Sequence, residues 1–178
     1  MQFKKLIFLA VLWAFSVFTF SSCNDEKPVN FNLAYAATIS IPATNGLEVE
    51  MALDSDPVTT NIEQKTSDYN TTTALIESVV PSDIQVVLNS PSGSALDYFG
   101  PVEVYIVSDD EMDLIGSKPD ISESAASSFS VTVKNVDVTK YVQKESFTTR
   151  LVFTPDAYSG IKQEVEVRLT LKLKATEA

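Results

Sequence analysis

The chain has 178 residues, with 13 Lys and Arg against 24 Asp and Glu for a formal charge of −11, and it contains no histidine. That balance makes nucleic acid and anionic lipid poor partners, because phosphate recognition rests on clustered Lys and Arg. The missing imidazole removes histidine-based triads, histidine acid–base chemistry and His-ligated zinc, and a single cysteine leaves no disulfide framework.

The first five residues carry Lys4 and Lys5, and the run from Leu6 to Phe20, LIFLAVLWAFSVFTF, has no charge. At 15 residues this run is shorter than the roughly 20 that span a bilayer as a helix. A charged start followed by a short apolar run predicts a signal peptide over residues 1–22. Phe20, Ser21, Ser22 and Cys23 follow. They resemble the lipobox of bacterial lipoprotein precursors, with Phe20 standing where that family usually has leucine. The resemblance implies cleavage before Cys23, lipidation at Cys23 and anchoring in a membrane. Several acyl chains, each contributing about 0.8 kcal/mol per buried methylene, hold a protein stably. Asn24 occupies the position where an aspartate signals inner-membrane retention in that family, so the expected location is the cell envelope, at the outer membrane. Asp25-Glu26 resembles the acidic surface-export run of some Gram-negative lineages; a solvated tether held off the membrane by its charge accounts for it equally well.

Removing Lys4 and Lys5 from the 13 bases leaves 11 against 24 acids, a formal −13 for the mature chain, and removes Trp13, the one tryptophan. Residues 23–32 are polar with one proline and predict a flexible tether. Residues 33–178 suit one domain, large enough to bury about two-thirds of the surface its unfolded chain exposes.

Period-two alternation dominates that domain. LAYAATISI from Leu33 is a weaker strand, and LEVEMAL alternates at Leu47, Val49, Met51 and Leu53. PATNG at 42–46 places Asn45-Gly46 between them as a hairpin signal. A polar, threonine-rich stretch from Val58 to Thr73 reads as an exposed loop, with the glycosylation sequon Asn70-Thr71-Thr72 inside it. TALIESVV to Val80 is a second weaker strand, followed by DIQVVLN with Ile84, Val86 and Leu88. SPSG at 90–93 marks a turn, and SALDYF near Leu96 a short helix. VEVYIV, SFSVTVK and FTTRLVFT point Val102, Val104, Ile106, Phe129, Val131, Val133, Phe147, Leu151 and Phe153 to one side. Thr149 takes an inward position in the last of these. VTKYVQK at 138–144 predicts a helical turn and PDAYSG at 155–160 a further turn. QEVEVRLTLKLKA is the clearest strand: Val165, Val167, Leu169, Leu171 and Leu173 share one face, which a helix at 100° per residue would scatter. Two layers must meet to cover such faces. The prediction is an all-β antiparallel sandwich of about seven or eight strands, immunoglobulin-like in the broad sense.

Candidate chemistry is sparse. The stretch SDDEMDLIG gathers Asp109, Asp110, Glu111 and Asp113 on what reads as a loop, and carboxylates there are the hard oxygen donors that calcium takes. Their spacing is not that of an EF-hand, and a solvated acidic loop is the plain alternative. Asp54 could add a ligand from another loop, while Asp56 before Pro57 reads as turn chemistry. Ser159-Gly160-Ile161-Lys162 matches the S-x-x-K string of penicillin-binding enzymes, but it falls in a turn, with no S-D-N or K-T-G elsewhere. A glycosidase needs two carboxylates about 5 to 10 Å apart across a cleft, which 24 acids satisfy too easily to discriminate. The expected function is that of a lipid-anchored, non-catalytic binding or adhesion module that meets an envelope protein or a glycan through its loops. The alternatives are a structural subunit of a surface complex and a hydrolase using carboxylates alone. The whole chain also resembles the uncharacterised sandwich-type lipoproteins of Gram-negative bacteria.

Overall fold

The computed structural model describes residues 27–43, 49–119, 121, 127–155 and 159–178. The signal peptide, Cys23, the tether up to residue 26, the Asn45-Gly46 hairpin signal and residues 156–158 of the PDAYSG turn lie outside the described residues. In chain order the elements are β1 (Pro28–Ile41), β2 (Met51–Asp54), β3 (Val58–Thr59), α1 (Ile62–Ser67), a 3-10 turn (Thr73–Leu75), β4 (Ile76–Ser90), β5 (Phe99–Ser108), β6 (Glu111–Lys118), β7 (Ser128–Val133), α2 (Thr139–Val142), β8 (Ser146–Pro155) and β9 (Gln163–Thr176).

The alternation predicts an all-β antiparallel sandwich, and that is what the chain forms. The strands follow one another as β1-β9-β4-β7-β6-β5-β8-β2, with β3 also on β8. Because β2 and β3 share β8, they act as one interrupted strand. The remaining order is nested: β1 pairs β9, β2 and β3 pair β8, β4 pairs β7 and β5 pairs β6, all antiparallel. Wrapping such a nested ladder gives two layers, β1-β9-β4-β7 and β2-β8-β5-β6, which is the jelly-roll connectivity within the sandwich class. The layers are joined at a corner by two register pairs, Gly116↔Val133 and Ser117↔Thr132. There a Cβ on Gly116 would lie 2.9 Å from both Ile84 Cδ1 and Val131 Cγ1, so any larger residue at this corner displaces core methyl groups.

β9 carries the strongest alternation and lies between β1 and β4. Val165, Val167, Leu169, Leu171 and Leu173 are all buried beside Leu33, Ile39, Val79, Ile84 and Val86. At about 1.5 to 3 kcal/mol for each fully buried aliphatic side chain, this face is a major stabilising surface. The facing layer contributes Val102, Val104, Ile106, Phe147, Leu151 and Phe153. Phe99 stacks on Phe153 with centroids 4.2 Å apart and meets Phe129 edge-on, closing one end of the core.

Several local expectations are corrected. β1 begins at Pro28, paired with Thr176, so residues 28–32 of the expected tether belong to the sheet. The weaker reading up to Val80 and the alternating DIQVVLN after it are a single strand, β4, whose ladder to β9 shifts register between Pro81 and Asp83. Pro81 is tolerated because it sits at that irregularity, outside the stretch Ile84–Val87 that β7 covers. SALDYF is a turn, not a helix; Leu96, Tyr98 and Phe99 are buried from it as a plug, and Tyr98 donates to Gln163 Oε1 at 2.5 Å. Val49 is 61% exposed, and among the described residues of LEVEMAL Met51 and Leu53 lie against the core. The Val58–Thr73 stretch is structured, with Thr60, Ile62, Thr66 and Thr71 buried. DLIGSK, not recognised as a strand, completes β6.

Pro57 helps explain why β2 and β3 are two pieces. Ser55 patches the break: its amide donates to the Thr149 carbonyl at 2.9 Å, and its hydroxyl accepts from the Thr149 amide at 3.1 Å. The Thr149 hydroxyl itself, fully buried, has no hydrogen-bond partner. Burying an unpaired hydroxyl is unfavourable. Thr149→Val is therefore expected to leave urea-monitored stability unchanged or raise it by up to about 2 kcal/mol, and a loss above about 1 kcal/mol would show that the hydroxyl is satisfied in solution. In the opposite direction, a Cβ on Gly100 would sit 2.6 Å from the Thr154 carbonyl oxygen, a backbone atom that cannot rotate away. Gly100→Ala is expected to cost about 1 to 3 kcal/mol in the same measurement.

Candidate functional site

Strand directions sort the loops into two ends. β1 enters at Pro28, opposite Thr176, and rises to Ile41. β4 starts at the same end, with Ile76 opposite Ala175. β7 descends along β4 and β5 descends along β8, so the β5–β6 turn, α2 and the start of β8 are also at the entry end. The Glu177 amide donates to the Lys27 carbonyl at 3.0 Å and the Ala178 amide to the Asn70 carbonyl at 2.9 Å, which ties both chain ends and the segment after α1 together there. Tyr69 stacks on Phe31 with centroids 4.0 Å apart and planes 5° from parallel.

The acidic stretch is a tight hairpin rather than a loop. Only Asp109 and Asp110 lie between β5 and β6, with Ser108 paired to Glu111. Asp109 holds φ at 53°, a backbone state aspartate tolerates better than bulkier residues. Glu111 and Asp113 are two apart on β6 and therefore share one face, which looks onto α2. Lys140 Nζ lies 3.0 Å from Glu111 Oε2 and 3.1 Å from Asp113 Oδ2, while Lys144 Nζ is 2.7 Å from Asp109 Oδ2. The Tyr141 hydroxyl donates to Asp113 Oδ2 at 2.9 Å. Hydrogen bonds from Tyr141 and then Lys140 hold the Asp113 carboxyl below the usual carboxylate range. Burial, and next the bond to Asp113, push the Tyr141 phenol up to about 12. Lys140 is raised by its bonds to Glu111 and Asp113.

Three of the four calcium candidates are thus spent on two lysines, and Asp110 is exposed at the turn. Among the described residues no group of three or more Asp, Glu, His or Cys side chains is placed to hold a metal ion. Asp54 is not brought to them: it binds Arg150 through two bonds, Nε to Oδ1 at 2.7 Å and Nη2 to Oδ2 at 2.8 Å, which lower its pKa. Ser159 precedes β9 outside any helix and donates to the Ile161 carbonyl at 3.3 Å, so the S-x-x-K string lacks the helical turn that brings its lysine to the serine.

The site that sequence reasoning missed is a polar cleft of about 630 Å³ at the entry end, between α1, the 3-10 turn and the residues after α2. Its walls are pinned together. Thr60 donates its amide to the Glu145 carbonyl at 3.0 Å and its hydroxyl to the Lys144 carbonyl at 2.6 Å, and Gln143 Nε2 reaches the Thr73 carbonyl at 3.1 Å. Asn61, at φ 49°, turns the chain into α1. Glu63, Gln64, Lys144 and Glu145 supply the charged and amide groups of the lining. Beyond Lys144 a smaller cleft of about 290 Å³ continues past Pro57, Asp109 and Thr148. A hydrogen-bonding surface of this kind can hold a polar ligand; its one sequence signal was Lys144, just past α2 and opposite the acidic hairpin.

No protein-family model matches the chain, and no curated protein is similar to it in sequence. Among solved structures, it is similar to FlhE at 10% identity and a TM-score of 0.29, covering 81% of this chain and 96% of that one. It is also similar to turnip yellow mosaic virus protein at 13% and 0.33, covering 84% and 96%. The decameric BFDV capsid protein aligns at 8% and 0.38, covering 83% and 99%. These superpositions carry no argument about function.

The Tyr141 to Asp113 bond gives a pH-dependent prediction. Asp113 has a folded pKa below its unfolded value, so its contribution is present above the ordinary carboxylate range and is lost as pH falls through the folded pKa. Tyr141 is raised, so its contribution is complete below pH 10 and is lost as pH rises toward 12. Tyr141→Phe is expected to cost about 1 kcal/mol at pH 7, reduced from the value for a buried charged bond because Asp113 is part-exposed. It should also flatten the melting-temperature profile on both the acid and the alkaline side; an unchanged profile would show that the bond does not form.

Proposed function

We propose that the protein is a lipid-anchored component of the bacterial cell envelope, held through Cys23, whose sandwich is a non-catalytic binding or adhesion module. The observation that carries the reading is the opening of the sequence: charged start, uncharged run, two serines and the one cysteine, five residues before β1 begins at Pro28. So short a connection, at most about 18 Å when extended, suits a rigid domain displayed on a surface rather than a freely roaming one. The mature charge of −13 keeps such a display soluble and free of nucleic acid.

Its partner is an envelope protein or a surface glycan, met through loops. The structural alternative is a subunit within a surface complex. Expressed in a lipidating Gram-negative host, the wild-type chain is expected in the membrane fraction with an acyl mass on residue 23, and Cys23→Ser in the soluble fraction or as an uncleaved precursor. Mass spectrometry of the membrane form decides: an unmodified Cys23 thiol would remove the proposal.

A further inference from the structure

We infer that the entry end of the sandwich, marked by Lys27, Tyr69 and the β5–β6 turn, rests against the headgroups of a zwitterionic lipid surface, leaving the opposite end free for partners. The inference rests on the lipid-anchor reading above and adds an orientation to it. Two distances set the reach of each end. The connection from Cys23 to Pro28 spans at most about 18 Å, whereas β1 runs 14 residues from Pro28 to Ile41, about 43 Å at roughly 3.3 Å per residue. A chain held at Cys23 keeps its entry end within about 18 Å of the headgroups, and with the strands upright the far end stands about 43 Å further out.

The entry end has chemistry that tolerates that contact. Tyr69 is 48% exposed although its ring lies flat on Phe31, so an aromatic face with a hydroxyl is presented at the rim. Such a side chain suits the boundary between apolar chains and water. Lys27 is 3.7 Å from Glu177, Lys174 pairs with Glu77, and Lys140 and Lys144 pair with the acidic hairpin. With these four lysines matched by carboxylates and Lys65 set over the Tyr35 ring, they form no open basic patch to favour anionic lipid, which is why a zwitterionic surface fits. The polar cleft opens at the same end, so its occupant would be a headgroup or a molecule arriving along the membrane.

The mature chain lacks tryptophan, which makes single-tryptophan reporters clean. Acylated Tyr69→Trp and Val49→Trp proteins are reconstituted into phosphatidylcholine vesicles with and without headgroup-nitroxide lipid; Val49 lies at the far end beside β2 and is 61% exposed. Lys27→Trp serves as a second entry-end reporter should Tyr69→Trp fold poorly. The entry-end reporters are expected to lose at least half their fluorescence to the nitroxide, and Val49→Trp to lose none. Protein that floats with vesicles yet shows equal quenching at both ends, or none at either, overturns the orientation alone. Acylated protein that fails to float overturns the anchoring reading together with it.

Discussion

The ladder of β1 and β4 on either side of β9 is the constraint from which the rest follows. β9 is buried on one face along its whole length, and its register with β1 runs unbroken from Gln163 opposite Ile41 to Thr176 opposite Pro28. A slip of one residue in either ladder would turn five aliphatic side chains to water. Once that layer is fixed, nesting leaves little choice: β7 must lie on β4, β8 must collect β2, β3 and β5, and the two layers must close on each other at Gly116. There Gly116 pairs with Val133 across the junction, and a side chain on it would press on Ile84 and Val131.

Strands whose alternation is aliphatic and regular were readable from sequence, because period two with strong contrast admits one conformation. β5, β8 and β9 belong to this group, and even the inward polar position at Thr149 was legible. β6 was not, because Glu111 and Asp113 stand where apolar residues would have marked a strand. Both pair with one lysine, Lys140, from a helix more than 25 residues further along the chain, a contact no local pattern encodes. The far ends of the strands were misread for a related reason. SALDYF has a helical spacing of apolar groups, yet Leu96, Tyr98 and Phe99 are needed as a lid over the core, and tertiary packing overrode the local preference.

The candidate site illustrates the same limit. Acidic residues close in sequence invited a metal, but in space three of the four found a lysine. The cleft beside them is built by backbone carbonyls of Lys144 and Glu145 and side chains of Thr60 and Gln143, residues with no signature of their own. What local pattern does carry is the alternation that sets the strands, because it depends on neighbours in sequence and not on partners in space.

Because Glu177 hydrogen-bonds Lys27 and Ala178 hydrogen-bonds Asn70, the head and tail of the folded body lie side by side. A reporter fused after Ala178 would therefore emerge next to the point where the chain enters, while a peptide grafted between Pro91 and Leu96 would stand on the opposite pole. The same adjacency makes the domain a candidate for circular permutation, with a short linker bridging the old ends and new ones opened in a distal turn.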